Sequence, residues 1–331
     1  LSASLLWKRQ VRTEEALMTF LNPSLENLHD PFLFYSMSRA VERIRQAVAN
    51  QELILIYGDY DADGMTSASI MKTALDEIGA ESLVYLPNRF TDGYGPNLDV
   101  YKYFIENEGV GLIITVDNGI SAVEAAQICK DQGIDLIITD HHSVPSVVPD
   151  AYAIVNPKQE DCPFPHCEIC GAQVAWYLVA ALKEEMGIEY DLSSFLDLLC
   201  IAIMADMMEL TGMNRVMVKK GIADLNRSKR AAFEAIKQYY GKSTLESDDI
   251  SFLIAPLINS SGRMEDAILS YEFLKSKDVG SALEKLEYIV SLNEARKEEE
   301  RLLFESTLPY VNEDENIIVA WGEEWHEGIV G

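Results

Sequence analysis

The chain has few cysteines and no long apolar run. Its five cysteines are an odd number spread over 331 residues, which favours a reducing compartment over a disulfide framework. No apolar stretch approaches the roughly 20 residues that a membrane-spanning helix needs. Residues 1–12 also lack the basic-then-apolar pattern of a signal peptide. These absences argue against a secreted or membrane-inserted protein and predict a cytoplasmic location.

Basic residues are scarce as well. The 27 Lys and Arg residues face 54 Asp and Glu residues, which gives a net charge of −27. Because phosphate backbones attract lysine and arginine, this balance counts against a nucleic-acid partner. It does not decide the matter, since bound cations would reverse the sign of an acidic site and a local basic groove can exist in an acidic chain.

The sequence does contain an alternation of apolar strand-like runs with helical segments between residues 51 and 156. This alternation predicts an α/β domain with a parallel sheet flanked by helices. The predicted strands are 53–57, 82–86, 111–116, 134–139 and 152–155, and the helices between them are 66–78, 97–107 and 121–131. A mostly helical part follows, with predicted helices at about 171–186, 192–208, 213–226, 229–240 and 248–256.

Polar clusters follow three of the predicted strands. They are Asp59, Asp61 and Asp63, then Asp117, then Asp140, His141 and His142. Because parallel strands end at one edge of a sheet, these side chains are expected to meet in a crevice where ligands bind. Like charges at such a point repel one another unless cations lie between them, so the clusters predict a metal centre with more than one ion. Taken singly, the first cluster is equally a polar turn or a helix cap, Asp117 is better explained as a turn residue, and a lone histidine is more often structural than a ligand.

A fourth carboxylate, Asp206, lies within the apolar helical stretch 198–210. An isolated buried Asp is costly, so metal ligation explains it well, and a bond to a nearby backbone group or Arg is the alternative. Asp117 is well placed to bridge two ions. Because adjacent residues point in different directions, we expect one of His141 and His142 to bind metal and the other to contact a substrate phosphate or donate a proton.

Two members of these clusters have expected supporting roles. Asp140 holds an imidazole in its tautomer, and Asp59 orients the ligands without binding metal itself.

Two further segments carry candidate substrate contacts. Residues 259–263 are expected to form a small-residue turn in which Arg263 grips a phosphate; the members are Asn259, Ser260, Ser261, Gly262 and Arg263. Arg89, with Phe90 and Tyr94, suits the stacked bases of a single strand. Each segment is alternatively a plain packed loop.

A third group combines cysteine with histidine: Cys162, His166, Cys167 and Cys170. Its irregular spacing favours ordinary thiols over structural zinc, which remains the alternative.

These motifs together resemble the DHH phosphoesterase superfamily, which takes its name from the triplet found here at residues 140–142. The resemblance implies two divalent cations, usually Mn²⁺ with Mg²⁺ also used. It implies that the ligands are Asp61, Asp63, Asp117, His141 and Asp206. It also implies that Asp117 bridges the ions and that His142 and Arg263 lie near the phosphate, so that Asp117, Asp140 and His142 form the catalytic set. Two such ions stabilise both the attacking and the leaving oxygen of an in-line displacement.

Within the superfamily the chain is similar to bacterial exonucleases specific for single-stranded DNA. The similarity rests on residues 20–23, 58–64, 87–90, 93–95, 259–264 and 325–328. It implies hydrolysis from the 5′ end to 5′-mononucleotides in DNA repair and recombination, with a single-stranded-DNA-binding protein and a RecQ-type helicase as partners. The alternatives are a DHH phosphodiesterase acting on short oligonucleotides or cyclic dinucleotides, and a non-catalytic DHH scaffold in replication.

The expected organisation has four parts. Residues 1–50 form an N-terminal helical segment, and residues 51–277 form the DHH catalytic domain, with the sheet in 51–156 and the helical part in 157–277. Residues 278–308 form a long charged helix that connects domains. Ile317 to Ala320 is a predicted strand, and residues 309–331 are expected to be the start of a truncated nucleic-acid-binding domain.

Overall fold

A parallel sheet forms the first half of the molecule. The computed structural model describes residues 2–9, 11–93, 95–311, 317–322 and 325–330. The five strands pair in the order β2-β1-β3-β4-β5, and every pairing is parallel. They are β1 (Leu53–Tyr57), β2 (Ser82–Tyr85), β3 (Val110–Val116), β4 (Asp135–Thr139) and β5 (Ala153–Val155). The predicted fold class is confirmed, and β1 has the predicted bounds.

Fourteen α-helices surround and extend this sheet within the described residues. They are α1 (Ser2–Lys8), α2 (Glu14–Leu21), α3 (Met37–Asn50), α4 (Ala62–Glu77), α5 (Leu98–Tyr103), α6 (Val123–Asp131), α7 (Gly171–Met186), α8 (Leu196–Ala205), α9 (Gly212–Arg227), α10 (Ala231–Tyr240), α11 (Ser247–Asp249), α12 (Ala255–Met264), α13 (Ile268–Leu274) and α14 (Val279–Thr307). None of the described helices is both long enough and apolar enough to cross a bilayer.

Alternate residues of the strands face two different cores, because side chains along a strand alternate between the faces of a sheet. Ile54, Ile56 and Ile114 pack against α3, α4 and α7 in the larger core. Leu55 and Ile113 face the smaller core, which α5 and α6 complete. Both faces are therefore covered, so the carboxyl edge is the place where loops of the sheet can form a site.

The helical half extends the larger core. Apart from Asp197, helix α8 consists of apolar residues, and it packs against α9 and α4. The long helix α14 packs its first half on α10, α12 and α13, and its later turns are charged and exposed. Its bounds agree with the predicted charged helix.

Several predicted helices have shifted ends, such as α4, which begins at Ala62 and not at residue 66. Two predicted elements are not found among the described residues. The expected turn at 259–263 is wrong, because these residues belong to α12. Small residues there allow close packing: a Cβ on Gly262 would come within 2.1 Å of the Tyr60 carbonyl oxygen. The expected strand at 317–320 is also wrong, since the segment pairs with no strand among the described residues and the Ile317 side chain is 75% exposed.

Candidate metal centre

The first acidic loop starts helix α4. Asp61 is the N-cap, and its Oδ1 accepts a hydrogen bond from the Gly64 amide at 2.9 Å. Asp63 lies in the first turn, where its carboxylate accepts hydrogen bonds from the amides of Gly171 at 2.6 Å and Ala172 at 2.9 Å. The orientation of Asp63 is therefore fixed by the first turn of α7, whose amides have no partner within the helix and favour a negative charge.

Asp117 follows β3 in the left-handed backbone region, with φ of +65°. Short polar side chains tolerate this region better than most, and the Asp117 amide donates to the Thr139 carbonyl at 3.0 Å. A Cβ at position 171 would lie 2.4 Å from Asp117 Oδ1. Glycine at 171 therefore allows α7 to reach both Asp63 and Asp117.

The two adjacent histidines have different surroundings. The His141 side chain is buried, whereas that of His142 is 55% exposed. Asp140 is buried beside them, with Oδ1 at 2.7 Å from His142 Nδ1 and Oδ2 accepting from the Ile120 amide. The hydrogen bond that the His142 ring donates to the Asp140 carboxylate raises the pKa of His142 to about 9. Asp140 thus holds the His142 ring in place, while His141 faces the interior.

His141 is the meeting point of the acidic residues. Its Nε2 lies 3.2 Å from Asp117 Oδ1 and 3.7 Å from both Asp63 Oδ2 and Asp206 Oδ2. The cluster contains two groups of potential metal ligands, and within each group the ligand atoms lie within 4.8 Å of one another. One group is Asp63, His141 and Asp206, and the other is Asp117, His141 and His142. His141 belongs to both groups, so strands β3 and β4 and helices α4 and α8 converge on one point.

Several polar atoms of this cluster lack a hydrogen-bond partner, although some lie close to the His141 ring. Within the described part of the chain, Asp117 Oδ1, His141 Nδ1 and Asp206 Oδ2 are buried and make no hydrogen bond. A buried polar atom without a partner costs roughly 1–3 kcal/mol. Three such atoms at one site, all of types that ligate divalent cations, fit a metal centre.

The electrostatics of the cluster support the same interpretation. Burial and the neighbouring carboxylates raise the pKa of Asp117 well above its usual range. Burial and the nearby charge of Asp61 raise the pKa of Asp59 to about 7. Burial and the nearby charge of Asp63 likewise raise the pKa of Asp206 to about 7. Negative charge here is therefore unfavourable without cations, and bound cations would reverse this preference. Asp61 belongs to neither group of close ligand atoms.

The predicted substrate residues Arg263 and Arg89 lie near the first acidic loop. Arg263 lies in the last turn of α12, and its Nη1 donates to the Gly328 carbonyl at 3.1 Å. The Arg89 guanidinium lies over the Tyr60 ring, 4.4 Å from its centroid. Tyr94 lies outside the described residues.

Three other predicted contacts have structural partners instead. Asn259 Oδ1 accepts from the Ala62 amide at 2.7 Å and so holds the start of α4. Ser260 and Ser261 are fully buried, and they donate to the Leu257 carbonyl and to Ser270 Oγ. Their burial contradicts a direct contact of these two hydroxyls with a phosphate. The expectation failed because a helix, unlike a turn, hides one side of the segment.

The cysteine and histidine group does not assemble. Cys170 is buried at the start of α7, whereas Cys167 is exposed. Among the described residues, Cys162, His166, Cys167 and Cys170 form no group with ligand atoms close together. Ordinary thiols, the favoured interpretation, agree with this arrangement.

Sequence reasoning did not find the part played by α7. The amides of Gly171 and Ala172 bind Asp63, but backbone donors leave no side-chain signal. The one available clue is Gly171 at the start of an apolar helix, and glycine there is common enough to carry no information alone.

The fold and the site together define a known class of domain. The sequence pattern of the DHH family, N-terminal domain, matches residues 53–203, the stretch that contains the sheet and most of the acidic cluster. The chain therefore contains a DHH-family N-terminal domain over residues 53–203.

Within this family the chain is similar to exonucleases named RecJ. It is 38% identical over its whole length to the single-stranded-DNA-specific exonuclease RecJ of Bacillus subtilis, of which it spans 42%. The crystal structure of RecJ from Thermus thermophilus in complex with Mn²⁺ superimposes with a TM-score of 0.84 at 27% identity, over 98% of this chain and 46% of that one. A structure of exonuclease RecJ bound to manganese gives a TM-score of 0.82 at 27% identity, over 92% of this chain and 77% of that one.

Proposed function

We propose that the chain carries the hydrolytic centre of a single-stranded-DNA-specific exonuclease. It hydrolyses phosphodiester bonds from the 5′ end and releases 5′-mononucleotides, in DNA repair and recombination. The observation that carries this proposal is the cluster of Asp63, Asp117, His141 and Asp206, with three buried atoms that lack partners. The names of the relatives support the choice of single-stranded DNA.

The centre holds two divalent cations, with Mn²⁺ the favoured ion and Mg²⁺ the second. The proposed ligands are Asp61, Asp63, Asp117, His141 and Asp206, with Asp117 shared between the ions. When bound, such ions activate water and stabilise the charge that develops on the attacking and leaving oxygens. Crystal structures of RecJ in complex with Mn²⁺ and with Mg²⁺ support this class of ion.

The side chains around the cluster position the substrate. His142, fixed through Nδ1 by Asp140, has its other ring nitrogen available to bind a phosphate oxygen. Arg263 and Arg89, near the first acidic loop, bind the phosphate at the strand end, because guanidinium groups pair with phosphate in bidentate geometry. Asn259 acts indirectly by holding the first turn of α4.

The cellular setting is part of the proposal. We place the activity in the cytoplasm, in agreement with five unpaired cysteines. A single-stranded-DNA-binding protein and a RecQ-type helicase are the proposed protein partners, and helix α14 is the proposed connector to a nucleic-acid-binding domain.

One nuclease assay tests the proposal. Long single-stranded DNA labelled at the 5′ or the 3′ end is incubated with this chain and Mn²⁺, with Asp117→Ala as the inactive control. Early release of labelled mononucleotide from the 5′-labelled strand, and not from the 3′-labelled one, is the expected result. Cleavage of dinucleotides or cyclic dinucleotides with long DNA untouched would replace the proposal by the short-substrate alternative. Absence of all hydrolysis and of Mn²⁺ binding would favour a non-catalytic scaffold.

A further inference from the structure

An open groove of about 480 Å³ runs beside the acidic centre. Its walls come from the end of α8, the segment 251–256 and helices α12 and α14. They include Met207, Phe252, Asn259, Arg263 and Arg296. The groove adjoins the proposed centre, because Met207 directly follows Asp206 in the chain.

Met207 combines backbone strain with exposure. Its φ is +55°, in the left-handed region. The amides of Met207 and Met208 donate hydrogen bonds to the carbonyls of Met204 and Ile203, and helix α8 ends there. Glycine is the usual residue at such a helix end, and another residue there costs roughly 1–2 kcal/mol. The Met207 side chain is nevertheless 89% exposed. Strain kept for an exposed apolar side chain next to a reactive centre indicates a functional role.

Phe252 faces the same groove and is 82% exposed. It lies in a π-helical turn, Ile250–Ile254, that precedes α12. Such turns are rare and occur frequently at functional sites. An aromatic residue that is 82% exposed lacks the stabilisation that burial would give. The exposed position of Phe252 is therefore explained better by contact with a ligand than by a contribution to folding.

The guanidinium groups of Arg263 and Arg296 also line the groove. Burial lowers the pKa of Arg263, and the positive charges of Arg89 and Arg296 lower it further. Arg296 is held by Asn293 Oδ1 at 3.2 Å and Glu300 Oε2 at 2.9 Å, and its side chain is 19% exposed. Converging cations in a chain of net charge −27 indicate a site for an anion.

We propose that this groove binds the nucleotides of the single strand that follow the scissile phosphate. Bases stack on Met207 and Phe252, and the phosphates between them bind Arg263 and Arg296. A thioether and an aromatic ring both make favourable contacts with the flat face of any base, so the groove selects single strands without reading sequence. This inference rests on the proposed function, to which it adds Met207, Phe252 and Arg296 as binding residues.

Met207→Gly is the most direct test, since it relieves the strain and removes the stacking surface together. We expect KM for a long oligothymidylate to rise about five-fold or more, in line with the loss of one base stack, while kcat at saturating DNA changes little and thermal stability is kept or raised. Gln51→Gly is the matched control, because Gln51 ends α3 with φ of +57° away from the groove. It should stabilise the fold similarly and leave KM unchanged.

Two further variants separate stacking from charge. Phe252→Ala should raise KM as Met207→Gly does, whereas Tyr35→Ala, which removes another exposed aromatic, should not. Arg296→Gln should weaken DNA binding and reduce the slope of log affinity against log salt by about 0.7. Arg301→Gln, on the same helix but outside the groove, should leave that slope unchanged.

The outcomes distinguish this inference from the proposed function. If the unmodified chain degrades single strands while Met207→Gly and Phe252→Ala have normal KM values, the groove is not the path of the strand and the exonuclease proposal stands. If the salt slope of Arg296→Gln equals that of Arg301→Gln, the phosphate contact is excluded. If the unmodified chain neither binds nor degrades single strands, both proposals are wrong.

Discussion

The two edges of the sheet use the same residue types in opposite ways. At the amino-terminal edge, Arg43 of α3 donates from Nε to Asp135 at 2.6 Å and from Nη2 to Glu52 at 2.6 Å. At the carboxyl edge, Asp117 and Asp206 meet around His141 with no lysine or arginine paired to them among the described residues. One edge neutralises its carboxylates within the protein, and the other leaves them to be neutralised by a ligand.

This difference separates stability from function. Paired carboxylates beside a guanidinium strengthen the fold, whereas clustered carboxylates without counter-charge weaken it. Proteins keep such local conflicts mainly at functional sites. The comparison therefore predicts that substitutions at the two edges have opposite effects on activity and on stability.

The largest expected effect is the loss of activity in Asp117→Ala. We expect hydrolysis of single-stranded DNA to fall by more than about 100-fold, because removing a proposed ligand to both ions should exceed the 10–100-fold cost of removing an outer partner. Without metal, the melting temperature should change little, since relief of like-charge repulsion offsets the roughly 1–2 kcal/mol cost of alanine in the left-handed region at φ of +65°. Asp59→Ala should retain more activity, and equal activity in the two variants would contradict the bridging role.

Metal binding should stabilise the carboxyl edge selectively. At a free Mn²⁺ concentration about 100 times Kd, we expect the unfolding free energy to increase by about 2.7 kcal/mol. Calorimetric or thermal unfolding with and without a chelator measures this increase. Arg43→Gln should keep it and Asp117→Ala should lose most of it; an equal increase in both variants would place the ion elsewhere.

Arg43→Gln should lower the stability of the fold and leave activity unchanged, which is the reverse of the effect expected for Asp117→Ala. It leaves Glu52 and Asp135 without their counter-charge, and we expect a loss of about 2 kcal/mol, reduced from the value of a fully buried pair because Asp135 is 39% exposed. Activity per folded molecule should be unchanged. Arg45→Gln is the control on the same helix, where the exposed pair with Glu42 predicts a much smaller change. Denaturant titration decides between them.

The smallest expected effect is on pH dependence. Burial raises the pKa of Glu52 and is the largest single effect, but the hydrogen bonds from Arg43 and Asn50, together with the charge of Arg43, outweigh burial and lower this pKa below its usual range. A lowered folded-state pKa gives stability that is present above the unfolded value of about 4.3 and is lost as pH falls through the folded-state pKa. The stability difference between the unmodified chain and Arg43→Gln should therefore shrink below about pH 4. A constant difference would show that Glu52 contributes no pH-dependent stabilisation.

Much of the carboxyl edge could be predicted because it depends on local signals. Apolar runs of five residues or so, each followed by polar residues, indicate parallel strands, and strand ends of one sheet necessarily meet. That reasoning was enough to expect Asp63, Asp117 and His141 in one crevice. The same reasoning could not predict that the amides of α7 bind Asp63, because the hydrogen bond from Gly171 joins residues that lie 108 positions apart in the sequence.

The failures have a common physical cause. Residues 259–263 contain serine and glycine, which favour turns locally, but packing against Tyr60 and α14 holds them in a helix. Residues 317–320 have β-branched side chains typical of strands, yet a strand requires a partner that the sequence cannot specify. Met207 gave no signal, because its left-handed conformation is imposed by the helix end and not by its own preference.

The hydrogen bonds from Gly171 and Ala172 to Asp63 also set an order of events during synthesis. A nascent chain that has reached residue 165 already contains all three strand-end clusters, but it lacks the amides that orient Asp63 and the whole of Asp206. The sheet can form at that stage without a complete centre. The helical half must dock before the carboxylates are arranged as seen here, so the ability to capture ions would appear late on the ribosome and would report that both halves have come together.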